Sequence, residues 1–152
     1  MTITGLVHVN INCSDFDRSE EFYRLLGFER LMEVAPTTTP EVAAAVGMPP
    51  YEVRGALMML RTGNQPVVID LLEWRSPRDE ESPYAHLYHL GIARIAFATS
   101  DLDGEMNRLK EHGVRFLSEP AKVTLPGATA GSRFVCFFDP DGTALELVEA
   151  TS

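Results

Sequence analysis

The stretch LVHVNINCSDFDRSEEFYRLLGF, residues 6–28, decides the fold because it occurs a second time in altered form. The second copy is IARIAFATSDLDGEMNRLKEHGV, residues 92–114, and it aligns without a gap at a constant shift of 86 residues. Ser14 falls on Ser100, and the aspartates and the glycine that follow in each copy also coincide. Both copies have the pattern of an alternating strand, a Ser-Asp turn and a helix that ends at glycine. The sequence therefore predicts one structural module that is repeated.

Each module is predicted to run in the order strand, helix, strand, strand, strand. In the first module, we place the strands at residues 5–12, 28–34, 53–61 and 67–74, with Gly63-Asn64 as the last turn. In the second module, we place them at residues 92–99, 114–118, 132–138 and 143–149, with a loop at 119–131.

The first helix is predicted to begin with Asp17 as its N-cap and to end at Gly27. Glu20, three residues after Asp17, fits the capping-box pattern at a helix start. The helix of the second module is predicted at about residues 103–112.

An insertion at residues 35–50, APTTTPEVAAAVGMPP, interrupts the first module. Thr39 as N-cap and Pro40 at the first helical position predict a short helix there. The last strands of the modules align at a shift of 76 rather than 86 residues, so this insertion supplies the extra length. The same alignment places Glu73 on Glu149, and we expect both side chains to be solvated.

Composition limits the possible functions. The chain has 152 residues and a net charge of −9, without the clustered Lys and Arg that phosphate binding requires, so nucleic acid is not an expected partner. No apolar run is long enough for a membrane span, and no signal peptide is seen at the N-terminus. Cys13 and Cys136 lie far apart in apolar strands and are expected to be buried thiols. A cytoplasmic protein is the expectation.

The predicted fold is of the α+β class, a single domain over residues 1–152 built from modules at about 5–74 and 91–150 with a connection at 75–90. A helix covers one face of each four-stranded mixed sheet. The other face of each sheet must be covered by the other module. We therefore expect the polar-tolerant faces of the two sheets to line a shared cup.

Charged residues at equivalent strand positions mark the predicted site. His8 aligns with Arg94 in the first strands, and Asp70 aligns with Glu146 in the last strands. A charge inside an apolar strand is costly unless it is paired, metal-bound or solvated. One interpretation is a structural ion pair between Arg94 and a carboxylate. The other is a functional site.

Four segments resemble the vicinal oxygen chelate superfamily, which includes glyoxalase I, methylmalonyl-CoA epimerase, extradiol dioxygenases, fosfomycin resistance enzymes and bleomycin-binding proteins. The segments are LVHVNINCSDFDRSEEFYRLLGF, VVIDLLEW, GIARIAFATSDLD and DPDGTALELVE. The resemblance implies paired βαβββ modules whose cup holds a divalent metal at the positions of His8, Asp70, Arg94 and Glu146. It also implies a homodimer, because small members of the superfamily commonly dimerise.

Arg94 departs from the family pattern, which usually has histidine there. A guanidinium has no lone pair to donate and stays protonated, so it is not a metal ligand. In one hypothesis, His8, Asp70 and Glu146 still hold Mn, Fe, Co, Ni or Zn, and Arg94 turns away to bind a substrate carboxylate. In the other, which we favour, the site has no metal or binds it weakly, and Arg94 supplies the positive charge for an oxyanion. His8 or a carboxylate is then the general base.

The resemblance and these residues lead to two functional hypotheses. The first is an isomerase or lyase that transfers a proton next to a carbonyl or hydroxyl of a small oxygenated metabolite, with His8, Asp70, Arg94 and Glu146 as catalytic residues. The second is a non-catalytic antibiotic-binding protein of the bleomycin-resistance type. A ring-cleaving dioxygenase is disfavoured, because it needs an intact site of two histidines and one carboxylate. The predicted substrate contacts are Asn10, Tyr51, Arg54, Met58 and Trp74.

Overall fold

The structure is a computed structural model that describes residues 2–62, 65–124, 126–127 and 130–151. It divides the chain into two compact units, Met1–Glu81 and Ser82–Ser152, and each contains one βαβββ module. The predicted α+β class with two modules is therefore confirmed. The predicted turn at Gly63-Asn64 lies outside the described residues.

Unit one contains strands β1 (Val9–Asn12), β2 (Glu29–Glu33), β3 (Glu52–Leu60) and β4 (Val67–Ser76), and helices α1 (Phe16–Leu25) and α2 (Pro40–Ala45). The sheet has the order β1-β4-β3-β2, in which β1 is parallel to β4 and the other neighbours are antiparallel. Helix α2 is the predicted insertion, and Thr39 caps it by accepting a hydrogen bond from the backbone of Val42.

Unit two contains strands β5 (Ile95–Ala98), β6 (Ala121–Thr124), β7 (Gly131–Phe138) and β8 (Ala144–Thr151), and helix α3 (Leu102–Glu111). Its sheet repeats the topology of unit one, with the order β5-β8-β7-β6 and a parallel β5–β8 pair. The described part of this unit has no counterpart of α2. No helix in the described ranges of either unit is long and apolar enough to cross a membrane.

The core of each unit lies between its first long helix and one face of its sheet. In unit one, Tyr23 of α1 is fully buried, together with Met58 of β3 and Leu71 of β4. In unit two, Leu109 of α3 and Leu145 of β8 are fully buried in the same way. Burial of each such side chain stabilises the unit by about 1.5–3 kcal/mol. The alternation of a strand therefore sends odd-numbered residues of β4 to the helix and even-numbered ones to the opposite face.

The start of α1 differs from the prediction. Asp15, not Asp17, is the N-cap, and its side chain accepts a hydrogen bond from the backbone N–H of Arg18. Asp17 lies in the first turn and instead accepts a hydrogen bond from Nη1 of Arg54 at 2.8 Å. The predicted capping box is therefore wrong, because Glu20 turns to the arginine of β2 rather than back to the helix start. Arg30 Nε donates to Oε1 of Glu20 at 2.8 Å.

The strands that open each module are shorter than predicted. Strand β1 begins at Val9 rather than at residue 5, and β5 begins at Ile95 rather than at residue 92. Pairing with the parallel neighbour begins at these residues, with Val9 opposite Ile69 and Ile95 opposite Leu145.

The second strand of unit two is displaced from its predicted position. Residues 114–118 contribute only an isolated bridge, between Phe116 and Phe137, and the strand β6 lies at Ala121–Thr124 inside the predicted loop. All the residues of β6 are exposed, so the strand pairs with β7 through its backbone and shows no hydrophobic alternation. Its sequence pattern therefore gave no sign of a strand.

A glutamate, buried in unit one and half-buried in unit two, fixes each helix to its sheet, contrary to the prediction that both glutamates would be solvated. Glu73 of β4 is only 4% exposed, and its Oε2 accepts a hydrogen bond from the backbone N–H of Phe16 at 3.2 Å. Glu149 of β8 accepts one from the backbone N–H of Leu102 at 3.2 Å. A carboxylate is favourable at this position because the N-terminus of a helix carries unpaired N–H groups and a positive dipole end.

An arginine on the third strand of each module completes what we call the N-terminal clamp. In unit one, the clamp consists of Asp17, Arg54 and Glu73, and Arg54 and Glu73 are cross-strand neighbours. In unit two, Arg133 donates to Asp103 at 2.8 Å and to Glu149 at 3.3 Å. The two modules therefore place their helices by the same set of charges.

Glu73→Gln is expected to lower the free energy of unfolding by about 2 kcal/mol, because the helix N–H and the adjacent arginines lose a charged acceptor. Arg75 and Arg78 both form ion pairs with this carboxylate. Urea denaturation followed by circular dichroism measures the difference. The control is Glu52→Gln, a change of the same kind at an exposed position of β3. Equal stability losses in the two variants would contradict the clamp.

The ion pair of the buried Glu20 with the exposed Arg30 makes unit one sensitive to acid. The hydrogen bond from Arg30 lowers the pKa of Glu20 below its ordinary value of 4.5, although burial acts in the opposite direction. A carboxyl group with a lowered pKa in the folded chain stabilises it above the unfolded pKa, and this contribution is lost as the pH falls through the folded pKa. The contribution of Glu20 is therefore present at neutral pH and decreases below about pH 4.5.

Glu20→Gln is expected to cost about 1–2 kcal/mol at pH 7, and the difference from the wild type is expected to shrink as the pH falls below 4.5. Urea denaturation at a series of pH values tests this. Glu21→Gln, one residue along the same helix and exposed, serves as the control. A Glu20→Gln difference that stays constant down to acid pH would refute the assignment.

Candidate functional site

The sheet face that α1 leaves uncovered in unit one carries polar groups on β1 and β4. Asp70, Leu72 and Trp74 are even-numbered residues of β4, and their side chains point opposite to that of the clamp residue Glu73. Strand β1 pairs with β4 in the register Asn10 to Asp70. The predicted residues Asn10, Asp70 and Trp74 therefore share one face.

Asp70 is the strongest candidate for chemistry on this face. Its Oδ2 accepts a hydrogen bond from Nδ2 of Asn10 at 2.9 Å. Its Oδ1 is buried and has no hydrogen-bond partner among the described residues. Burial raises the pKa of Asp70 above its ordinary value, and the charge of His8 and the bond from Asn10 only partly oppose this. His8 itself is exposed and lies directly before β1.

Trp74 lies on the same face as Asp70. Its indole Nε1 donates a hydrogen bond to Oδ1 of Asn12 at 2.8 Å. The ring of Tyr51 packs against it, with the ring centroids 4.7 Å apart and the planes tilted by 44°. The predicted contacts Tyr51 and Trp74 are therefore brought together, and both remain partly exposed.

Arg54 and Met58 do not join this face. Both are even-numbered residues of β3 that point towards α1, where Arg54 is held by Asp17 and Met58 is fully buried. Their placement does not fit the predicted role as substrate contacts. The reason lies in the register, because residues of β3 that share the face of Asp70 are odd-numbered, beginning with its neighbour Leu57.

Unit two carries the other two predicted residues as an ion pair. Nε of Arg94 donates a hydrogen bond to Oε2 of Glu146, whose side chain is only 10% exposed. The side chain of Arg94 stays 41% exposed, so its guanidinium can still meet a ligand. The predicted ion pair of Arg94 with a carboxylate is thus present, with Glu146 as the partner.

Cys136 is a third member of this cluster that the sequence did not mark as a site residue. It is the cross-strand neighbour of Glu146, and its Sγ lies 3.5 Å from Oε2 of that carboxylate. Burial, followed by the contact with Glu146, raises the pKa of the Cys136 thiol. The thiol is therefore a weak hydrogen-bond donor here rather than a nucleophile. Only the register of β7 on β8 reveals this contact.

These residues do not fit a metal held at the four family positions. Arg94 has no lone pair to offer, and it occupies the carboxylate of Glu146, the residue with the best ligand chemistry. Within each unit, the described residues contain no group of three or more His, Cys, Asp or Glu that could hold an ion. The chemistry of the donor set therefore favours a site in which a guanidinium, not a metal, supplies the positive charge.

Comparison with known proteins identifies relatives of the whole chain. The family model described as Glyoxalase/Bleomycin resistance protein/Dioxygenase superfamily matches residues 5–147. The uncharacterized protein YwkD of Bacillus subtilis (strain 168) is 30% identical over 151 residues, which cover 98% of this chain and 99% of that protein. A 2-epi-5-epi-valiolone epimerase of Actinomyces sp is 30% identical over 148 residues, which cover 93% of this chain and 76% of that protein.

Solved structures support the fold. A glyoxalase family protein from Bacillus cereus superposes with a TM-score of 0.77 at 18% identity, covering 100% of this chain and 99% of that one. The fosfomycin resistance protein FosX from Listeria monocytogenes superposes with a TM-score of 0.59 at 18% identity, covering 99% and 96%. At these identities, the likeness concerns the fold alone.

Arg94→His is expected to gain a divalent metal that the wild type does not hold in stoichiometric amount, because the change removes a cation and supplies an imidazole ligand. Elemental analysis of protein purified without a chelator measures the metal content. Arg115→His, an exposed arginine of the same unit, controls for the added histidine. Stoichiometric metal in the wild type would contradict the prediction that the guanidinium of Arg94 takes the place of a metal.

Proposed function

The chain belongs to the Glyoxalase/Bleomycin resistance protein/Dioxygenase superfamily, and on this premise we propose that it is an isomerase of the epimerase type. The proposed reaction inverts a carbon centre of a small oxygenated metabolite by removing and returning a proton next to a carbonyl. The 2-epi-5-epi-valiolone epimerase among its relatives supports this reaction class over the lyase alternative. Its substrate is the first candidate to test.

Asp70 is the proposed general base, and its environment is the observation that carries the proposal. A buried carboxylate oxygen without a partner among the described residues is costly, and native proteins retain such groups where they have a task. Burial also raises the pKa of Asp70, which moves it towards the range in which a carboxylate exchanges protons efficiently. Asn10 donates a hydrogen bond to the other oxygen and thereby fixes the orientation of the carboxylate.

Arg94 is the proposed stabiliser of the negative charge that develops on the carbonyl oxygen. Glu146 fixes the orientation of its guanidinium through Nε, and the exposed fraction of the side chain is left for the ligand. A fixed cation in a partly desolvated site lowers the energy of an enolate more than that of the neutral ketone. It thereby performs the task that a Lewis-acidic metal performs elsewhere in the superfamily.

The steps of the proposed reaction balance without an added reagent. The carboxylate of Asp70 takes the proton from the carbon next to the carbonyl, and the electron pair of the C–H bond forms the enolate. His8 gives a proton to the opposite face of that carbon while the carbonyl re-forms. Exchange with water then returns Asp70 and His8 to their starting states.

The alternative function is non-catalytic binding of an antibiotic. The closed ion pair of Arg94 with Glu146 favours it, since pure sequestration needs neither a metal nor a free carboxylate. The aromatic pair of Tyr51 and Trp74 also suits a binding site. The unpartnered Oδ1 of Asp70 favours the enzyme, because non-catalytic binding gains nothing from a buried carboxylate oxygen that lacks a hydrogen-bond partner among the described residues.

We also propose a cytoplasmic homodimer, as expected from the family resemblance. Support comes from exposed apolar side chains in the segments that precede β1 and β5, which are Ile3, Leu6, Val7, Tyr88, Leu90 and Ile92. Clusters of exposed apolar side chains commonly mark contact surfaces between proteins.

Asp70→Asn is expected to lower the rate of proton exchange by about 10²- to 10⁴-fold, because Asn cannot act as a base. Arg94→Met is expected to lower it by about 10²- to 10³-fold through loss of the oxyanion contact. The measurement is deuterium incorporation from D2O into 2-epi-5-epi-valiolone, followed by NMR, with substrate affinity measured separately. Asp79→Asn, exposed in the connection, is the control.

Enzyme and binder give opposite results in this experiment. An enzyme loses exchange in Asp70→Asn but keeps its affinity for the compound. A protein that binds the compound without exchange, in the wild type as in the variants, would be the non-catalytic binder. No binding of 2-epi-5-epi-valiolone at all would exclude this substrate.

A further inference from the structure

A cleft of about 520 Å³ lies in unit one on the side of the sheet that α1 covers. Phe16 of α1, Arg54 of β3 and Arg75 of β4 line it, whereas Asp70 and Trp74 do not. We call it the arginine cleft. Its volume lies within the range of pockets that take small molecules. The arginine cleft is therefore a place for a ligand that is separate from the candidate functional site.

The insertion after β2 builds one wall of the arginine cleft. Pro36 and Thr37, which belong to the insertion, both line it. Backbone contacts fix them along β3, because the carbonyl of Pro36 accepts a hydrogen bond from the N–H of Val53 at 2.9 Å and Thr37 forms a bridge with Glu52. The wall is thus an ordered part of unit one.

Unit two shows that this wall and Arg75 are not needed to place the helix. Its sequence has no counterpart of the insertion, and the shift of 76 residues puts Thr151 at the position of Arg75. Unit two nevertheless keeps its own N-terminal clamp, in which Arg133 contacts Asp103 and Glu149. The features that form the arginine cleft in unit one therefore serve something other than the fold.

Two guanidiniums in the cleft have N–H groups to offer. Arg54 binds Asp17 through Nη1 and Nη2, which leaves its Nε without a partner among the described residues. Arg75 contacts Glu73 through Nη2 alone, at 3.1 Å. The side chains of Arg54 and Arg75 are 45% and 48% exposed, so a ligand can reach both. Guanidinium N–H groups match the geometry of a carboxylate.

Glu52 adds the opposite charge to the lining of the cleft. Its side chain is exposed and has no hydrogen bond or ion pair with any residue that the structure describes. A ligand with negative charge alone would be repelled by this carboxylate and by the net charge of −9 on the chain. A ligand that carries an ammonium group as well as a carboxylate complements both kinds of charge.

We propose that the arginine cleft binds a free α-amino acid with an apolar side chain. Its carboxylate accepts hydrogen bonds from Arg54 and Arg75, and its ammonium group pairs with Glu52. Val34 and Pro36 supply apolar surface in the lining for the side chain. This site does not depend on the proposed function, and binding to it is measured without turnover.

Three compounds with one carbon skeleton test the proposal. L-leucine carries both charges, 4-methylpentanoate lacks the ammonium group, and 3-methylbutan-1-amine lacks the carboxylate. The backbone N–H signals of Thr37 and Gly55, which line the cleft, report binding in a 15N-labelled sample followed by NMR. We expect L-leucine to shift them in a saturable way. Each of the other two compounds is expected to bind about tenfold or more weakly, because it loses one charged contact.

Glu52→Gln is expected to reduce the affinity for L-leucine about tenfold without weakening that for 4-methylpentanoate. Arg75→Gln is expected to weaken the binding of both compounds by a similar factor. Arg61→Gln changes an exposed arginine of the same unit outside the cleft and is expected to bind as the wild type does. Thermal denaturation checks folding, since Arg75 also contacts Glu73, whereas Glu52 has no such pair.

Three results would overturn the amino-acid site. The first is the absence of any saturable shift with L-leucine. The second is equal affinity for L-leucine and 4-methylpentanoate, or an unchanged affinity for L-leucine in Glu52→Gln. The third is an equal loss of binding in Arg61→Gln and Arg75→Gln, which would mean general attraction to positive charge rather than contacts in the cleft.

Discussion

Each module depends on a glutamate of its last strand that accepts the first N–H of its helix. Glu73 and Glu149 make this contact in the two units, and an arginine of the third strand donates to an aspartate of the first helical turn. Because the contact is ionic and specific, it fixes which sheet face the helix covers. The opposite face is then left for side chains that a core would not tolerate, and the candidate site lies there. Fold and site are therefore set by the same strand, through its odd and even residues.

Much of the fold could be predicted from the sequence because the same module occurs twice in the chain. The repeat gives the order of elements, and glycine at positive φ after each helix, Gly27 and Gly113, agrees with the predicted ends. What escaped prediction depends on partners distant in sequence. The start of β1 depends on where it pairs with β4, and the exposed strand β6 pairs with β7 through its backbone. The burial of Glu73 follows from a helix terminus, which a strand pattern does not reveal.

The contacts of the candidate site could not be predicted from the sequence. Equivalent places in the repeat single out Asp70 and Glu146 as candidates, and the structure gives them opposite surroundings. Asp70 keeps a buried oxygen without a partner among the described residues, whereas Glu146 is neutralised by Arg94. Register explains the errors on β3, since a shift of one residue moves a side chain to the other face.

The outer strands of the sheets differ in a way that bears on association. Strand β2 carries Glu29, Arg30 and Glu33, and β6 carries Lys122, whereas β1 and β5 carry no charge at all. Charges on a sheet edge discourage another strand from pairing there, because approach would desolvate them. Each sheet thus has one edge whose charged side chains oppose pairing with a further strand and one edge without charged side chains. A strand added to either unit would join at β1 or β5, the edges nearest the candidate site residues of that unit, and not at β2 or β6.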